Sequence, residues 1–397
     1  MFDLVPICFA ELNTLPQQLV NGLLLGAIYA LIALGYTMVY GVLKLINFAH
    51  GEVFMLGAYI ALFTAWMLGF TPEGLIANPK EGSVFILLLM ILASMVICAV
   101  IGVLIELLAY RPLRNHSRLS ALITAIGVSL FLQYGGALFL PNTPPPSIPE
   151  QVNPFRDTIT MNVIPPEAEL VTKAKAAKVE YKKINKVFKK RLAYETTELG
   201  KISEFDLTPE GQKIRIKRQE ALRKFRELNG EADATGIKIR IPKGQFIMLV
   251  TAVVLMLMLR HLVMFTTVGR AMRAVSHDIT SASLMGVNVN KIVSITFVIG
   301  SALAGAGAMM NATFMGTPLT TFYGMLPGIK AFVAAVLGGI GNIPGAVVGG
   351  LLMGVAETMV VWFGYSSYRD AIAFVILTII LLFKPGGLLG SSKVEKV

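Results

Sequence analysis

The sequence is poor in most of what a catalytic, metal-binding or secreted protein uses. Over 397 residues it has two cysteines, four histidines, two tryptophans and only 15% charged positions. Cys8 and Cys98 make no disulfide framework and stand at no metal-ligand spacing, so both read as small apolar fillers. His50, His116, His261 and His277 fall in four separate segments, without a His/Cys or His/Glu set at ligand spacing, and no metal site is assigned. A phosphate-binding loop is missing: Gly200-Lys201 is preceded five positions earlier by Glu195 and followed by Ile202, so this chain does not itself hydrolyse ATP. There is no nucleophile elbow either, which leaves little for an enzyme reading. Asp3 and Glu11 stand before the first apolar run where a cleavable signal would carry basic residues, so the first span is expected to be retained.

What is present is apolar. Hydrophobic residues make up 55% and mean hydropathy is +0.68, against about 45–50% apolar and about 25% charged in soluble domains. Windows near the ~20 residues needed to cross a bilayer fall at 17–40, 48–69, 84–109, 117–140, 245–267, 291–313, 323–340, 345–364 and 368–384. The expected fold is an all-α, polytopic integral membrane protein of about eight to nine transmembrane helices with an inserted helical hairpin. Its organisation reads as spans 1–4 in residues 1–140, a non-cytoplasmic loop with the charged insert in 141–244, and spans 5–9 in 245–397. Arg111, Arg114 and Arg118 in one short loop, and Arg270, Arg273 and Lys291 framing another, mark the cytoplasmic side. That count puts the acidic N-terminus outside and Lys384, Lys393 and Lys396 inside. Trp66 with Phe70, and Trp362 with Tyr365, then fall near the outer interface.

Gly22/Gly26, Ser301/Gly305, Gly345/Gly349 and Gly350/Gly354 are small-xxx-small pairs that let helix backbones approach closely, either within the chain or across a dimer. Residues 165–243 break the pattern. They hold twenty basic and twelve acidic residues, and so +8 of the formal +11. Leu170, Ala174, Ala177, Tyr181, Ile184, Phe188 and Leu192 draw one apolar stripe. A second helix is expected to start at Thr208-Pro209, carry Ile214, Ala221, Leu222, Phe225 and Leu228, and stop at Gly230. Two such stripes predict an antiparallel hairpin. A basic segment could attract nucleic acid or anionic lipid, but its mixed charges spread round both helices suit a solvated face, and an outer location excludes nucleic acid.

Polar residues beside or inside apolar spans need a reason, because a charge at the centre of a membrane helix costs roughly 2.5–3.5 kcal/mol on insertion scales. Asn47, His50 and Glu52 open the second span and are the first candidates for a transport pathway; the count of spans puts them near the inner interface. A plain helix start, with Asn47 as N-cap and His50 sharing its face, would also account for them. Glu106, Lys330 and Glu357 are the other ionisable groups at or near span depth, and Lys330 could pair with Glu357 on the neighbouring span, as pathway residues or as a structural ion pair. In the 268–291 loop, Asp278 can cap a two-turn helix over 279–285 that Gly286 ends in a left-handed turn: an interfacial helix, or a lever docked in a partner's groove.

Five motifs in order carry a resemblance: Tyr29-Ala-Leu-Ile-Ala-Leu-Gly-Tyr-Thr-Met-Val-Tyr40, Ile46-Asn-Phe-Ala-His-Gly-Glu52, Gly269-Arg-Ala-Met-Arg-Ala274, Met285-Gly-Val-Asn288 and Ala335-Val-Leu-Gly-Gly-Ile-Gly-Asn-Ile-Pro-Gly-Ala346. Together with the closing Val-Glu-Lys-Val they resemble the permeases of bacterial branched-chain amino-acid ABC importers, over about 17–140 and 245–397. The resemblance implies a multi-pass inner-membrane subunit for leucine, isoleucine and valine uptake by alternating access, with no cofactor of its own. Its implied partners are a second homologous permease subunit, two cytoplasmic ATP-binding subunits that use the ATP, a periplasmic amino-acid-binding protein and membrane lipid. Arg270, Arg273, Asp278, Ala282, Leu284 and Gly286 would then belong to the coupling helix and its approach. The family's loop is shorter than 165–243, so the insert has no inherited role. Importers of urea or short-chain amides have similar motifs. A secondary transporter or channel would work without ATPases, and a structural scaffold would not need the polar spans.

Overall fold

The computed structural model describes residues 14–45, 47–71, 81–113, 117–165, 167–199, 208–235 and 237–390. Asp3, Cys8, Glu11, Ile46, Arg114, His116, the Gly200-Lys201-Ile202 stretch, Lys393 and Lys396 lie outside them. Each of the nine apolar windows holds a helix. In chain order the elements are α1 (Leu15–Leu43), α2 (His50–Met67), α3 (Val84–Ile105) with a π-helical turn at Glu106–Tyr110, and α4 (Arg118–Phe139). Then come β1 (Thr158–Ile164), α5 (Ala168–Leu199), α6 (Pro209–Thr235), β2 (Ile237–Pro242) and α7 (Lys243–Phe265). The rest is α8 (Thr267–His277), α9 (Ile279–Leu284), α10 (Val289–Met315), α11 (Met325–Gly338), α12 (Ile343–Trp362) and α13 (Ala371–Phe383). Among the described residues, six helices are long and apolar enough to cross a membrane, and α11 and α13 are shorter apolar helices.

Local chemistry sets the helix starts. Ser83, Ser117, Asn288 and Asn342 stand one residue before α3, α4, α10 and α12, and each accepts a backbone N–H from the first turn at 3.1–3.3 Å. Each such cap satisfies one of the four N–H groups that a helix start leaves without an intrahelical partner. Gly316, at φ 62°, closes α10 in the left-handed conformation that a side chain would strain.

The chain divides into two compact units, residues 18–158 with 241–397, and residues 159–240 with 1–17. In the larger unit α1 and α10 form the buried centre, with Leu31, Ile32, Phe54, Phe297 and Ala304 inside. All four small-residue pairs are spent within the chain. Gly22 and Gly26 lie against Val355 and Leu351, Gly350 and Gly354 against Ala30 and Gly26, Gly305 against Ser94, and Gly345 and Gly349 against Gly338 and Ala334. α3, α4 and α7 instead turn Leu88, Leu92, Phe131 and Leu257 outward, as helices facing lipid or another subunit do. Phe70, expected at the outer interface, is buried in the core.

In the smaller unit α5 and α6 form the expected antiparallel hairpin, with Arg218 over the Phe188 ring, Lys178 facing Phe225, and Arg191 paired to Glu210 at 3.0 Å. Thr208 caps α6 as expected, but the helix does not stop at Gly230. It runs to Thr235, because an exposed glycine with open space around it weakens a helix without breaking it. Sequence reasoning missed the two-stranded sheet of β1 and β2. The alternation in Thr-Ile-Thr-Met-Asn-Val-Ile and Ile-Lys-Ile-Arg-Ile-Pro was its signal.

Candidate functional site

Asn47, His50 and Glu52 come together, but not as a helix cap. Asn47 precedes the helix and its side chain does not cap it; Ala49 is the N-cap residue, and Asn47 Oδ1 accepts the Tyr110 hydroxyl at 2.9 Å instead. His50 is buried against α1, its ring so close to Gly35 that a β-carbon there would overlap it, and its Nε2 has no hydrogen-bond partner. The Tyr36 ring meets it edge-on at 4.7 Å. Glu52, only 4% exposed, accepts the Ser129 hydroxyl through Oε1 at 2.9 Å. Ser129 stands eleven residues after Arg118 and ten before Phe139 in α4, or about 16 Å from either end at ~1.5 Å per residue. Glu52 is therefore level with the middle of α4, whereas Asn47, bonded to Tyr110, stands at the end of the α3 span beside Arg111. The cluster thus runs from the Arg111 end of α3 at Asn47 to the level of Ser129 at Glu52.

A second helix start meets it there. Gly51 and Gly328 pack backbone to backbone: a β-carbon on Gly51 would stand 2.8 Å from the Gly324 carbonyl oxygen, and one on Gly328 3.0 Å from Gly51 Cα. The first turns of α2 and α11 thus abut, and only glycine permits it. Beside this crossing lies a cavity of about 330 Å³ lined by Tyr36, Glu52, Ser129 and Gln133 and by apolar side chains of α4, α11 and α13. Of its lining residues, Ile126, Leu130 and Phe374 are exposed. Glu52 lines it, and its Oε2 is buried without a hydrogen-bond partner.

Lys330 and Glu357 pair as expected, at 3.0 Å, and they belong to something larger. Lys330 also meets Asp370 at 2.6 Å, while Glu357, fully buried, accepts the Tyr29 hydroxyl at 2.6 Å and the Arg369 guanidinium. Two cations and two anions tie α1, α11, α12 and the start of α13 into a neutral cluster. Lys330 and Glu357 do not line the cavity. Glu106 is satisfied separately by Ser294 at 2.8 Å and Arg111 at 3.4 Å.

The short loop helix has the expected build. Asp278 accepts the Thr280 N–H at 2.8 Å and the Ser281 hydroxyl, α9 follows, and Gly286 has φ 84°. Those hydrogen bonds hold the Asp278 carboxyl below its ordinary value. Its capping contribution is thus present above about pH 4 and is lost as pH falls through the lowered folded-state value. Ala282 is buried, whereas Leu284 and Met285 are 84% and 85% exposed. Arg273 donates back to the Val263 carbonyl at the α7–α8 corner, and Arg270 is exposed.

A family model described as "Branched-chain amino acid transport system / permease component" matches residues 18–381. The chain belongs to this permease family. Among curated relatives, the high-affinity branched-chain amino acid transport system permease protein BraD of Pseudomonas aeruginosa is 36% identical over 381 residues, 96% of this chain and 97% of its own length. The permease proteins LivH of Escherichia coli K12 and of Salmonella typhimurium are 33% identical over 388 residues and 32% over 384, with the same coverage. No solved structure matches. The permease thus carries, at mid-span, groups that sequence reasoning passed over: Tyr36, Ser129, Gln133, Gly324 and Gly328, with Tyr29, Arg369 and Asp370 in the ion cluster. Ser129 and Gln133 are four apart, hence on one face of α4. That was their only signal in the sequence.

Proposed function

We propose that this chain is the membrane-spanning permease subunit of an ABC importer that brings leucine, isoleucine and valine across the inner membrane by alternating access. The near full-length identity to BraD and LivH carries the reading. A cavity at mid-span, with apolar walls and one carboxylate, suits a branched aliphatic amino acid. The chain works with a second homologous permease subunit, two cytoplasmic ATP-binding subunits and a periplasmic amino-acid-binding protein, surrounded by lipid. It needs no cofactor, catalyses no chemistry and contacts no nucleic acid. The loops holding Arg111 and Arg270 face the cytoplasm. The capped helix from Asp278 to Gly286 is the coupling helix, with Leu284 and Met285 as its docking residues and Arg270 and Arg273 beside it. ATP-driven closure of the ATPases moves this helix, and the spans rearrange around a pathway shared with the sister subunit.

The test is reconstitution of the permease with its genomic partners in proteoliposomes. ATP-dependent uptake of leucine, isoleucine and valine, absent without the binding protein, is expected. Uptake of urea or acetamide in their place would reassign the substrate, and uptake by this chain without the ATPases would reassign the class.

A further inference from the structure

We propose that Glu52 receives the ammonium group of the amino acid in transit, at a weak site midway along the pathway. This rests on the importer reading above and adds the recognition chemistry that reading leaves open. A carboxylate this deep is ordinarily hydrogen-bonded at both oxygens or paired with a cation. Glu52 is neither: Ser129 takes Oε1, Oε2 has no partner, and the residue lines a cavity none of whose lining residues is Lys, Arg or His. Lys330, buried on α11, does not line the cavity and is already held by Glu357 and Asp370. A carboxylate with one oxygen unpartnered therefore lines a space that a cationic donor can enter, and a small turn of the carboxyl is needed to present that oxygen.

The rest of the cavity selects which donor. Ile126, Leu130, Ile329, Phe332, Phe374 and Leu377 supply an aliphatic and aromatic wall, and the volume of about 330 Å³ is at the lower end of the ~300–1,000 Å³ usual for small-molecule sites. An ammonium needs three acceptors, which Glu52 with the Ser129, Tyr36 or Gln133 oxygens around the cavity can supply, and its branched side chain meets the apolar wall. One charge-assisted bond and an apolar wall give a site that holds long enough to select and releases easily, as a pathway requires.

Glu52→Gln keeps the volume and the acceptor for Ser129 while removing the charge. In the reconstituted complex, leucine uptake should fall about tenfold or more, since charge-assisted bonds are roughly twice as strong as neutral ones. ATPase activity stimulated by the loaded binding protein should persist, and Glu52→Asp should recover part of the uptake. Unchanged uptake in Glu52→Gln overturns the proposal. So does parallel loss of ATPase and uptake that Glu52→Asp fails to relieve, because that marks a structural carboxylate. A second measurement needs no transport: Leu130→Cys, on the cavity wall, in a background with Cys8 and Cys98 replaced by alanine. A cationic methanethiosulfonate should modify it faster than an anionic one, and leucine delivered by the binding protein, but not sodium or potassium chloride, should slow the reaction. Equal rates for the two reagents, or protection by salt alone, overturn the proposal. Failure of wild-type leucine uptake would instead count against the importer reading, with the charge selectivity of the cavity still readable.

Discussion

The ion cluster around Glu357 makes a quantitative prediction. Its four charges sum to zero: Lys330 and Arg369 against Glu357 and Asp370. Lys330 and Glu357 are buried, while the Arg369 and Asp370 side chains are about half exposed, at 50% and 55%. Removing one partner of a buried pair leaves an uncompensated charge and costs about 3–5 kcal/mol, whereas replacing both by apolar residues of like volume is often neutral. Glu357→Leu strands Lys330 and Arg369 with only a half-exposed aspartate and also orphans the Tyr29 hydroxyl, so it belongs at the upper end, about 5 kcal/mol. Lys330→Met leaves Glu357 with both Tyr29 and Arg369, so it belongs at the lower end, about 3 kcal/mol. The double variant keeps only the Arg369/Asp370 charges, which are screened and worth about 0–1 kcal/mol. It also orphans the Tyr29 hydroxyl, at about 1–3 kcal/mol, and should lie within about 3 kcal/mol of wild type, far from the sum of the singles. Unfolding by titration with dodecyl sulfate in mixed micelles, followed by Trp66 and Trp362 fluorescence, gives the three values. A double variant as unstable as the two singles added, or a Lys330→Met more damaging than Glu357→Leu, would refute this account of the cluster.

Three further outcomes follow from other parts of the chain. Gly51→Ala must open the α2–α11 crossing by about half an ångström against backbone, so it should destabilise by ~1–3 kcal/mol and cut uptake. Gly230→Ala, in open space on the insert, should instead stabilise its helix by up to ~1 kcal/mol, and the two are compared by the same unfolding titration. Gly286→Val forces a branched side chain to φ 84°, a strain of ~1–2 kcal/mol; the variant should insert normally yet lose substrate-stimulated ATP hydrolysis, and normal hydrolysis would count against α9 as the lever. Replacing 165–236 by a short Gly/Ser linker should leave the larger unit assembled on size-exclusion chromatography, since loop length changes closure entropy by only ~0.6 kcal/mol per doubling; a collapsed complex, or labelling of Lys190→Cys from the cytoplasm alone, would contradict the reading of the insert.

Much of this protein is determined by sequence alone, because in a membrane protein the solvent itself writes the pattern. Apolar runs mark the helices wherever lipid or an apolar core surrounds them, and Ser83, Ser117, Asn288 and Asn342 announce their starts through local hydrogen bonds that need no distant partner. The stripe from Leu170 to Leu192 foretold a hairpin, and Asp278 with Gly286 foretold a capped short helix, for the same local reason. The five motifs pointed to the family.

Depth is what the sequence did not contain. A window of apolar residues has the same appearance whether its helix begins at the membrane surface or halfway across, so Asn47, His50 and Glu52 read as an interfacial start. Only the packing of α2 against Gly35, Ser129 and Gly324 set Glu52 level with the middle of α4. Likewise Lys330 and Glu357 are 27 positions apart and could be guessed as neighbours, but Tyr29 joins them from 328 positions away, by a contact that no local rule encodes. The caps and stripes are short-range interactions that adjacent residues complete by themselves. The unpartnered oxygen of Glu52 and the cavity beside it exist only where five helices meet, and that meeting is a property of tertiary structure.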